Sequence, residues 1–454
     1  MISHVPPSAA LLDHARRMVP RYTSYPTAPH FSAQVTGADY GAWLARLKDT
    51  AAPVSLYLHV PFCQSLCSYC GCNTKAVRRE EPVRAYAQVL AAEIALVAEQ
   101  VGTTEVSHIH WGGGTPNALP PDCLEELAAA LHRHFRIPAG IEHAIELDPR
   151  HLTQEGARLL AGIGITRASL GVQTLDGDVQ TAIGRIQPLE TVAAGFAALR
   201  AAGIAAINAD LMYGLPRQTH LSIADTVRHM LDLRPNRISL FGYAHVPWMK
   251  SHQKLVVEAD LPGAEARIRH AGLAREMLVA GGYVEIGIDH FALPDDSMTL
   301  ARDARRLHRN FQGYTTDEAG TLLGLGASSI SRTPFGYAQN APDVAGWRRA
   351  VDAGCLPTVK GRAFAGEDAL RGDVIAQLLC YFDVDLAEIA ASHGAPPEAL
   401  TADLDALRPF LDAGWVTFDG KRLAITSHAH EIARVVASAF DAYLGQGGRH
   451  SMAV

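Results

Sequence analysis

The sequence predicts an α/β fold: a partial, open (βα)6 barrel of the TIM-like kind, with an N-terminal arm and a small, mostly helical, winged-helix-like C-terminal domain. Three observations carry this. Short apolar runs alternate with long segments of helical periodicity, the pattern of βαβ units and a parallel sheet. The runs number six, too few for a closed eight-stranded barrel: VSLYLHV (54–60), VSHIHW (106–111), HAIELD (143–148), RASLGVQ (167–173), INADLMY (207–213) and RISLFGY (237–243). Polar or glycine-rich residues fall at the C-terminal end of each run, where parallel β/α folds place their chemistry.

Between the strands, segments such as YAQVLAAEIALVAEQ and LETVAAGFAALRAAG repeat apolar residues at helical spacing. A chain of 454 residues exceeds one ordinary core. Three segments are therefore expected: an arm over 1–35, the barrel with substrate-covering extensions over 36–350, and the C-terminal domain over 360–454. Past about residue 245 the βα rhythm fades, and 289–316 is loop-rich, aromatic and full of His and Arg. From about 365 the pattern reads as three helices, a two-stranded wing (WVTFDGKRLAIT) and a closing helix (AHEIARVVASAFDAYL). Winged helices often bind DNA, but this one lacks a basic recognition helix, so a cap or interaction role is expected.

Composition narrows the class. Hydrophobic residues make up 48% and charged residues 19%, a balance typical of a soluble globular protein. The net charge of -7 argues against a general nucleic-acid binder. No apolar run approaches the roughly 20 residues of a membrane helix. The N-terminus shows no basic stretch leading into an apolar core, so a secretory signal is not expected. The expectation is a cytoplasmic monomer that binds neither nucleic acid nor membrane.

Seven cysteines are present, and four crowd into residues 63–72. Disulfide frameworks are spread along small secreted domains, so crowding of this kind reads as metal ligation. In LYLHVPFCQSLCSYCGC, Cys63, Cys67 and Cys70 stand at C-x3-C-x2-C directly after the first strand. Three thiolates on a four-iron cluster leave one iron without a protein ligand, whereas electron-transfer clusters use four. An open iron can chelate the amino and carboxylate groups of S-adenosylmethionine, which an electron then cleaves to a carbon radical. A structural zinc site is disfavoured, because no second C-x2-C or H-x3-H completes it. Cys72 as a fourth ligand would make the chain a plain electron carrier, but Gly71 alone separates it from Cys70.

The C-x3-C-x2-C loop, with Tyr69 before its last cysteine, resembles the radical S-adenosylmethionine superfamily. A longer set of segments resembles one family within it, the oxygen-independent coproporphyrinogen III oxidases of haem biosynthesis. These are PRYTSYPTA (20–28), LYLHVPFCQSLCSYCGCN (56–73), HWGGGTP (110–116), IELDPR (145–150), SLGVQ (169–173), DLMYGLPRQT (210–219), ADLP (259–262), DHFALPDD (289–296), LHRNFQGYTT (307–316) and YAQN (337–340). They span nearly the whole chain.

The resemblance implies a [4Fe-4S] cluster on Cys63, Cys67 and Cys70, and two S-adenosylmethionine molecules. Tyr57, Gly113, Glu146 and Ile330 map to the molecule on the cluster. Tyr69, Gly114, Thr115, Gln173, Arg185, Asp210 and Ala244 map to the second. Several of these also have a physical reading. Consecutive glycines from Gly112 allow close backbone approach. Strand-end acids such as Glu146 and Asp210 accept from an ammonium or a ribose hydroxyl, although they serve equally as helix caps. Arg185 suits a carboxylate, or else a surface ion pair. Cys72 and Tyr57 are candidates for direct participation in catalysis. Cys72 is not needed as a ligand, and its thiol either donates to a radical or holds a backbone position.

The implied substrate is coproporphyrinogen III, whose four propionates need paired charges if buried. Arg21 and Arg309 are the candidates for that contact; ordinary salt bridges are the competing reading. The implied reaction takes a hydrogen from a propionate β-carbon, releases CO2 and one electron, and leaves a vinyl group, twice over. A separate electron donor and acceptor are required. Two rivals stand beside it: a haem-carrying chaperone relative, which typically lacks the arm motif and Cys72, and the four-cysteine electron carrier.

Overall fold

The computed structural model describes residues 7–48, 50, 52–102, 104–446 and 451–452. The first six residues of the arm, and residues 447–450 and 453–454 of the C-terminal segment, lie outside the described residues. All six apolar runs form strands: β1 (Val54–Val60), β2 (Val106–Gly113), β3 (Glu142–Leu147), β4 (Arg167–Gln173), β5 (Ala206–Tyr213) and β6 (Arg237–Gly242). The helical segments between them are α1 (Glu80–Val101), α2 (Pro121–His134), α3 (Gln154–Gly162), α4 (Leu189–Ala201) and α5 (His220–Leu233), and α6 (Ala264–Ala280) follows β6. Further strands are β7 (Val284–Ile286), β8 (His290–Ala292), β9 (Thr321–Leu325), β10 (Ile330–Thr333), β11 (Gly336–Asn340) and β12 (Thr358–Ala363).

The chain forms two compact units, each assembled from separated stretches. One comprises Phe31–Asp210 and Asp317–Ala363; the other comprises Met1–His30, Leu211–Thr316 and Phe364–Val454. In the first unit β1 to β4 run parallel, with Tyr57 opposite His110, Trp111 opposite Ile145, and Glu146 opposite Ser169. Their core-facing residues, among them Leu56, Leu58, Ile109, Trp111, Ile145 and Leu170, are buried. Apolar runs covered on both faces are what a parallel sheet demands.

The sheet does not begin at β1, as six βα units alone would have it. Strand β9 adds in parallel on the other side of β1, and β10, β11 and β12 continue antiparallel beyond it. These strands were not predicted because β9 (TLLGL) is short and joins a partner far away in the chain, which leaves no local periodicity. Glu93 of α1 pins this edge. It accepts from the Gly326 N–H (2.6 Å), the Asn340 amide (2.7 Å) and the Trp347 indole N–H (2.9 Å).

In the second unit β6 pairs antiparallel with β8, and β8 with β7. The C-terminal segment holds helices Asp368–Tyr381, Leu386–Ser392, Arg408–Asp412 and Ala429–Ala437. Its wing has three strands rather than the expected two, because Asp383–Asp385 pairs with Arg422–Ile425 beside Val416–Phe418. The run DVD is too short and too polar to be read as a strand. Leu378, Val384, Phe410, Leu423, Ile432, Val436 and Phe440 form the core here, and Tyr22 and Tyr25 of the arm pack into it. The Tyr22 hydroxyl donates to Asp441 (3.0 Å), and the Ala442 N–H donates to the Tyr25 hydroxyl (2.9 Å), so two tyrosines of PRYTSYP strap the arm down. No helix among the described residues is long and apolar enough to cross a membrane.

Candidate iron–sulfur and S-adenosylmethionine site

Directly after β1 the chain turns through Phe62–Cys63, which pairs with Lys75–Ala76 and closes the intervening residues into one loop. That loop holds Cys63, Cys67, Cys70 and Cys72, none of them in a disulfide. Cys67 is buried, Cys63 and Cys70 are half-buried, and Cys72 is exposed.

Each of the three candidate ligands meets a donor. The Cys63 sulfur lies 3.2 Å from the Thr74 hydroxyl and 3.3 Å from the Thr115 hydroxyl. The Cys67 sulfur lies 3.6 Å from Arg185 Nη1. The Cys70 sulfur accepts from the Cys72 backbone N–H at 3.4 Å. Cys72 thus contributes through its amide, and its thiol also meets Cys70, which together with burial raises it well above the ordinary thiol value. Among the described residues no three His, Cys, Asp or Glu side chains gather to hold a single ion. A four-iron cluster asks instead for one thiolate per iron, with donors to the sulfurs, and this set fits that requirement.

Beside the loop, strand alternation puts Tyr57 and His59 on one face of β1. The Tyr57 hydroxyl lies 3.0 Å from His59 Nδ1, and His59 Nε2 lies 3.1 Å from the Asn73 carbonyl. A carbonyl only accepts, so Nε2 carries the proton and Nδ1 accepts from the phenol. Burial keeps His59 below its ordinary value, and burial, then Glu146, keeps the Tyr57 phenol protonated.

Glu146 Oε1 accepts from His110 Nε2 (3.2 Å), and Oε2 accepts from the Gly113 N–H (3.1 Å). Burial pushes this carboxyl up, but the His110 and Gly113 hydrogen bonds outweigh it and hold the group below the usual carboxylate range. The glycine run makes this possible. A Cβ at Gly112 would stand 2.8 Å from the Glu146 carboxylate, and one at Gly113, where φ is +114°, would stand 2.6 Å from the His59 ring. A Cβ at Gly114 would meet Thr74 and the Phe62 backbone. Ile330 reaches the same neighbourhood through its backbone. Tyr57 pairs with Gly324, and a Cβ on Gly324 would strike the Ile330 carbonyl at 2.7 Å.

Arg185, one of the residues mapped to the second S-adenosylmethionine, is heavily committed within the protein. Its guanidinium donates to Gly171 O (2.7 Å), Gln187 Oε1 (3.0 Å) and Asp148 (3.2 Å), besides Cys67. Gln173, at the end of β4, takes a left-handed φ of +64°. Side chains held there mark sites where the backbone is over-determined. Asp210 accepts from Ser169 and from Asn208, both at 2.8 Å. Tyr69 is half-buried on the cysteine loop. Ala244 belongs to the other unit, where its carbonyl accepts from Gln253 at 3.2 Å.

Sequence reasoning did not single out Thr74, Asn73, His110, Asp148 or Gln187. Alternation along β2 carried one usable signal, since His110 stands two residues before Gly112. The others come from turns, where no periodicity exists to read.

The Radical SAM superfamily profile matches residues 57–230, and the HemN C-terminal domain profile matches residues 364–430. The oxygen-independent coproporphyrinogen III oxidase of Bradyrhizobium diazoefficiens is 48% identical over 98% of this chain and 99% of its own. This chain belongs to that family. The anaerobic coproporphyrinogen III oxidase 1 of Cereibacter sphaeroides, another member, is 43% identical over 96% of both chains. The solved structure of the Escherichia coli enzyme HemN, described as a radical SAM enzyme, superposes with a TM-score of 0.89 at 36% identity, covering 94% of this chain and all of that one.

Proposed function

We propose that the protein catalyses the oxygen-independent oxidative decarboxylation of two propionates of coproporphyrinogen III, giving the vinyl groups of protoporphyrinogen IX. The observation that carries this reading is the set of donors aimed at Cys63, Cys67 and Cys70 next to an ionised Glu146. When bound, a [4Fe-4S] cluster and S-adenosylmethionine supply a carbon radical able to take hydrogen from a propionate β-carbon. Cys63, Cys67 and Cys70 would hold the cluster.

Glu146 stays an acceptor at neutral pH, ready for an amino N–H of the S-adenosylmethionine on the cluster, with Gly113 and Ile330 beside it. Tyr57, a neutral phenol, fixes His59, and His59 in turn fixes the loop at Asn73. Gln173 and Asp210 are the groups we assign to a second S-adenosylmethionine, together with Tyr69, Gly114, Thr115 and Arg185. Thr115 and Arg185 in addition donate toward the ligand sulfurs. The electron donor and the final acceptor are separate partners in this reading.

The test is anaerobic reconstitution with coproporphyrinogen III, S-adenosylmethionine and a reductant, followed by mass analysis. Stepwise loss of two carboxyls is expected. An unchanged mass with the cluster reduced would sink the proposal.

A further inference from the structure

In the second unit four arginines gather around one buried carboxylate, that of Asp289. Arg21 donates to the Gly242 carbonyl at 2.7 Å, and Arg267 to the neighbouring Tyr243 carbonyl at 2.8 Å. Arg434, from the closing helix of the C-terminal segment, lies 3.6 Å from Asp289. Arg309 stacks over the Tyr314 ring at 4.7 Å. Arg267 and Arg434 are 5% and 7% exposed. Asp289 is the carboxylate set among them, held well below the usual range, against the effect of burial, by His290 and by Arg309 and Arg434.

Two of the four are lowered by this crowding, while Arg309 is raised, against burial, by Tyr314 and Asp289. Burial, then Arg434, pushes Arg21 down to about 10, and Arg267 is lowered for the same reasons. Several N–H groups are left over: among the described residues, Arg21 Nε, Arg309 Nε and Arg309 Nη1 are shut off from solvent with no hydrogen-bond partner. Buried guanidinium N–H groups without acceptors are costly unless an anion completes them. The planar fork of arginine matches carboxylates in particular.

We infer that Arg21, Arg267, Arg309 and Arg434 form a carboxylate-binding site for the two propionates that the tetrapyrrole keeps. This rests on the decarboxylase reading proposed above. The retained pair is favoured because the arginine charge is permanent. A carboxylate lost as CO2 would leave the guanidiniums unpaired midway through the reaction, whereas a retained one keeps them paired through both rounds. Arg434 makes substrate recognition a role of the C-terminal segment, and the two arm tyrosines that bond Asp441 and Ala442 set the position of Arg21.

The test is fluorescence titration of the reconstituted protein with three porphyrins: coproporphyrin III, its tetramethyl ester, and protoporphyrin IX, which carries only the retained pair. Wild type should bind the ester about 10-fold or more weakly than either acid. Arg309→Gln and Arg434→Gln should weaken both acids by a similar factor, the size expected for hydrogen bonds to charged groups. Equal affinity for ester and acids in the wild type would overturn the site without recourse to any variant. Variants that lose coproporphyrin III but keep protoporphyrin IX would overturn the choice of the retained pair. Arginine-dependent binding without carboxyl loss would sink the decarboxylase reading and leave the carboxylate site standing. Normal decarboxylation with indifferent arginine variants would sink the site alone.

Discussion

Arg185 places one guanidinium nitrogen 3.6 Å from the sulfur of Cys67 and 3.2 Å from the carboxylate of Asp148. A cation donating to a ligand sulfur draws charge from it and favours the reduced state of the metal group. Arg185→Met should make the cluster harder to reduce and lower turnover by about 10- to 100-fold. Lysine, a single point donor, should restore only part of this. An electron paramagnetic resonance redox titration reads the potential directly, and an unchanged value in Arg185→Met would refute the contact's role.

Thr115 offers a smaller version of the same effect, with its hydroxyl 3.3 Å from the Cys63 sulfur. Thr115→Val should shift the potential in the same direction, and Thr115→Ser should preserve it. If both variants matched wild type, the hydroxyl would be a packing feature only.

Gly113 has φ at +114°, and its missing Cβ leaves room for the His59 ring. Gly113→Ala should cost about 1–3 kcal/mol from the backbone conformation alone, with the ring clash in addition. Urea unfolding of the protein should show a lower midpoint at unchanged slope. A midpoint equal to wild type would mean that His59 moves away freely.

Glu146 should stay ionised well into acid, because its folded value is depressed. The ratio of wild-type to Glu146→Gln affinity for S-adenosylmethionine, which cancels the titration of the ligand's own amino group, should therefore be flat from pH 8 to pH 5 and fall only below the ordinary value of 4.5. Glu146→Gln should weaken binding by about 10-fold or more, as expected when a charged acceptor is lost. Isothermal titration across this range checks both statements, and a decline already at pH 6 would contradict the assigned charge.

Glu93 predicts the opposite sign. Burial raises it to about 7 from 4.5, despite three donors that favour the ionised form. Between these values the folded state binds more protons than the unfolded state, so stability falls as pH rises through the window and is level above it. The drop is about 3 kcal/mol from the size of the shift. Glu93→Gln should flatten it, and denaturation midpoints at pH 5 and pH 8 decide the matter.

Much of this molecule was legible in the chain. The six strands β1 to β6 announced themselves through apolar runs, because burial on both faces of a parallel sheet leaves a local signature. The C-x3-C-x2-C spacing identified the ligand loop, because three neighbouring thiolates have few other uses. The edge strands β9 to β12 and the third wing strand were not legible, since short segments joining distant partners carry no period.

Which residue types the chemistry needs, and on which strands and loops they stand, was determined by the sequence alone. What each side chain touches was decided by the tertiary structure. Cys72 reads in the chain as a spare thiol, yet both its amide and its side chain meet Cys70. Arg185 reads as a carboxylate receptor or a surface ion pair, and its buried guanidinium is bonded to Gly171, Gln187, Asp148 and Cys67. Arg267 and Arg434 carry no signal in the chain, and only folding brings them to Asp289 and Arg21. The reason is physical: spacing along a strand or helix fixes the face a side chain takes, whereas hydrogen bonds and charge pairing depend on which distant segments the core draws together.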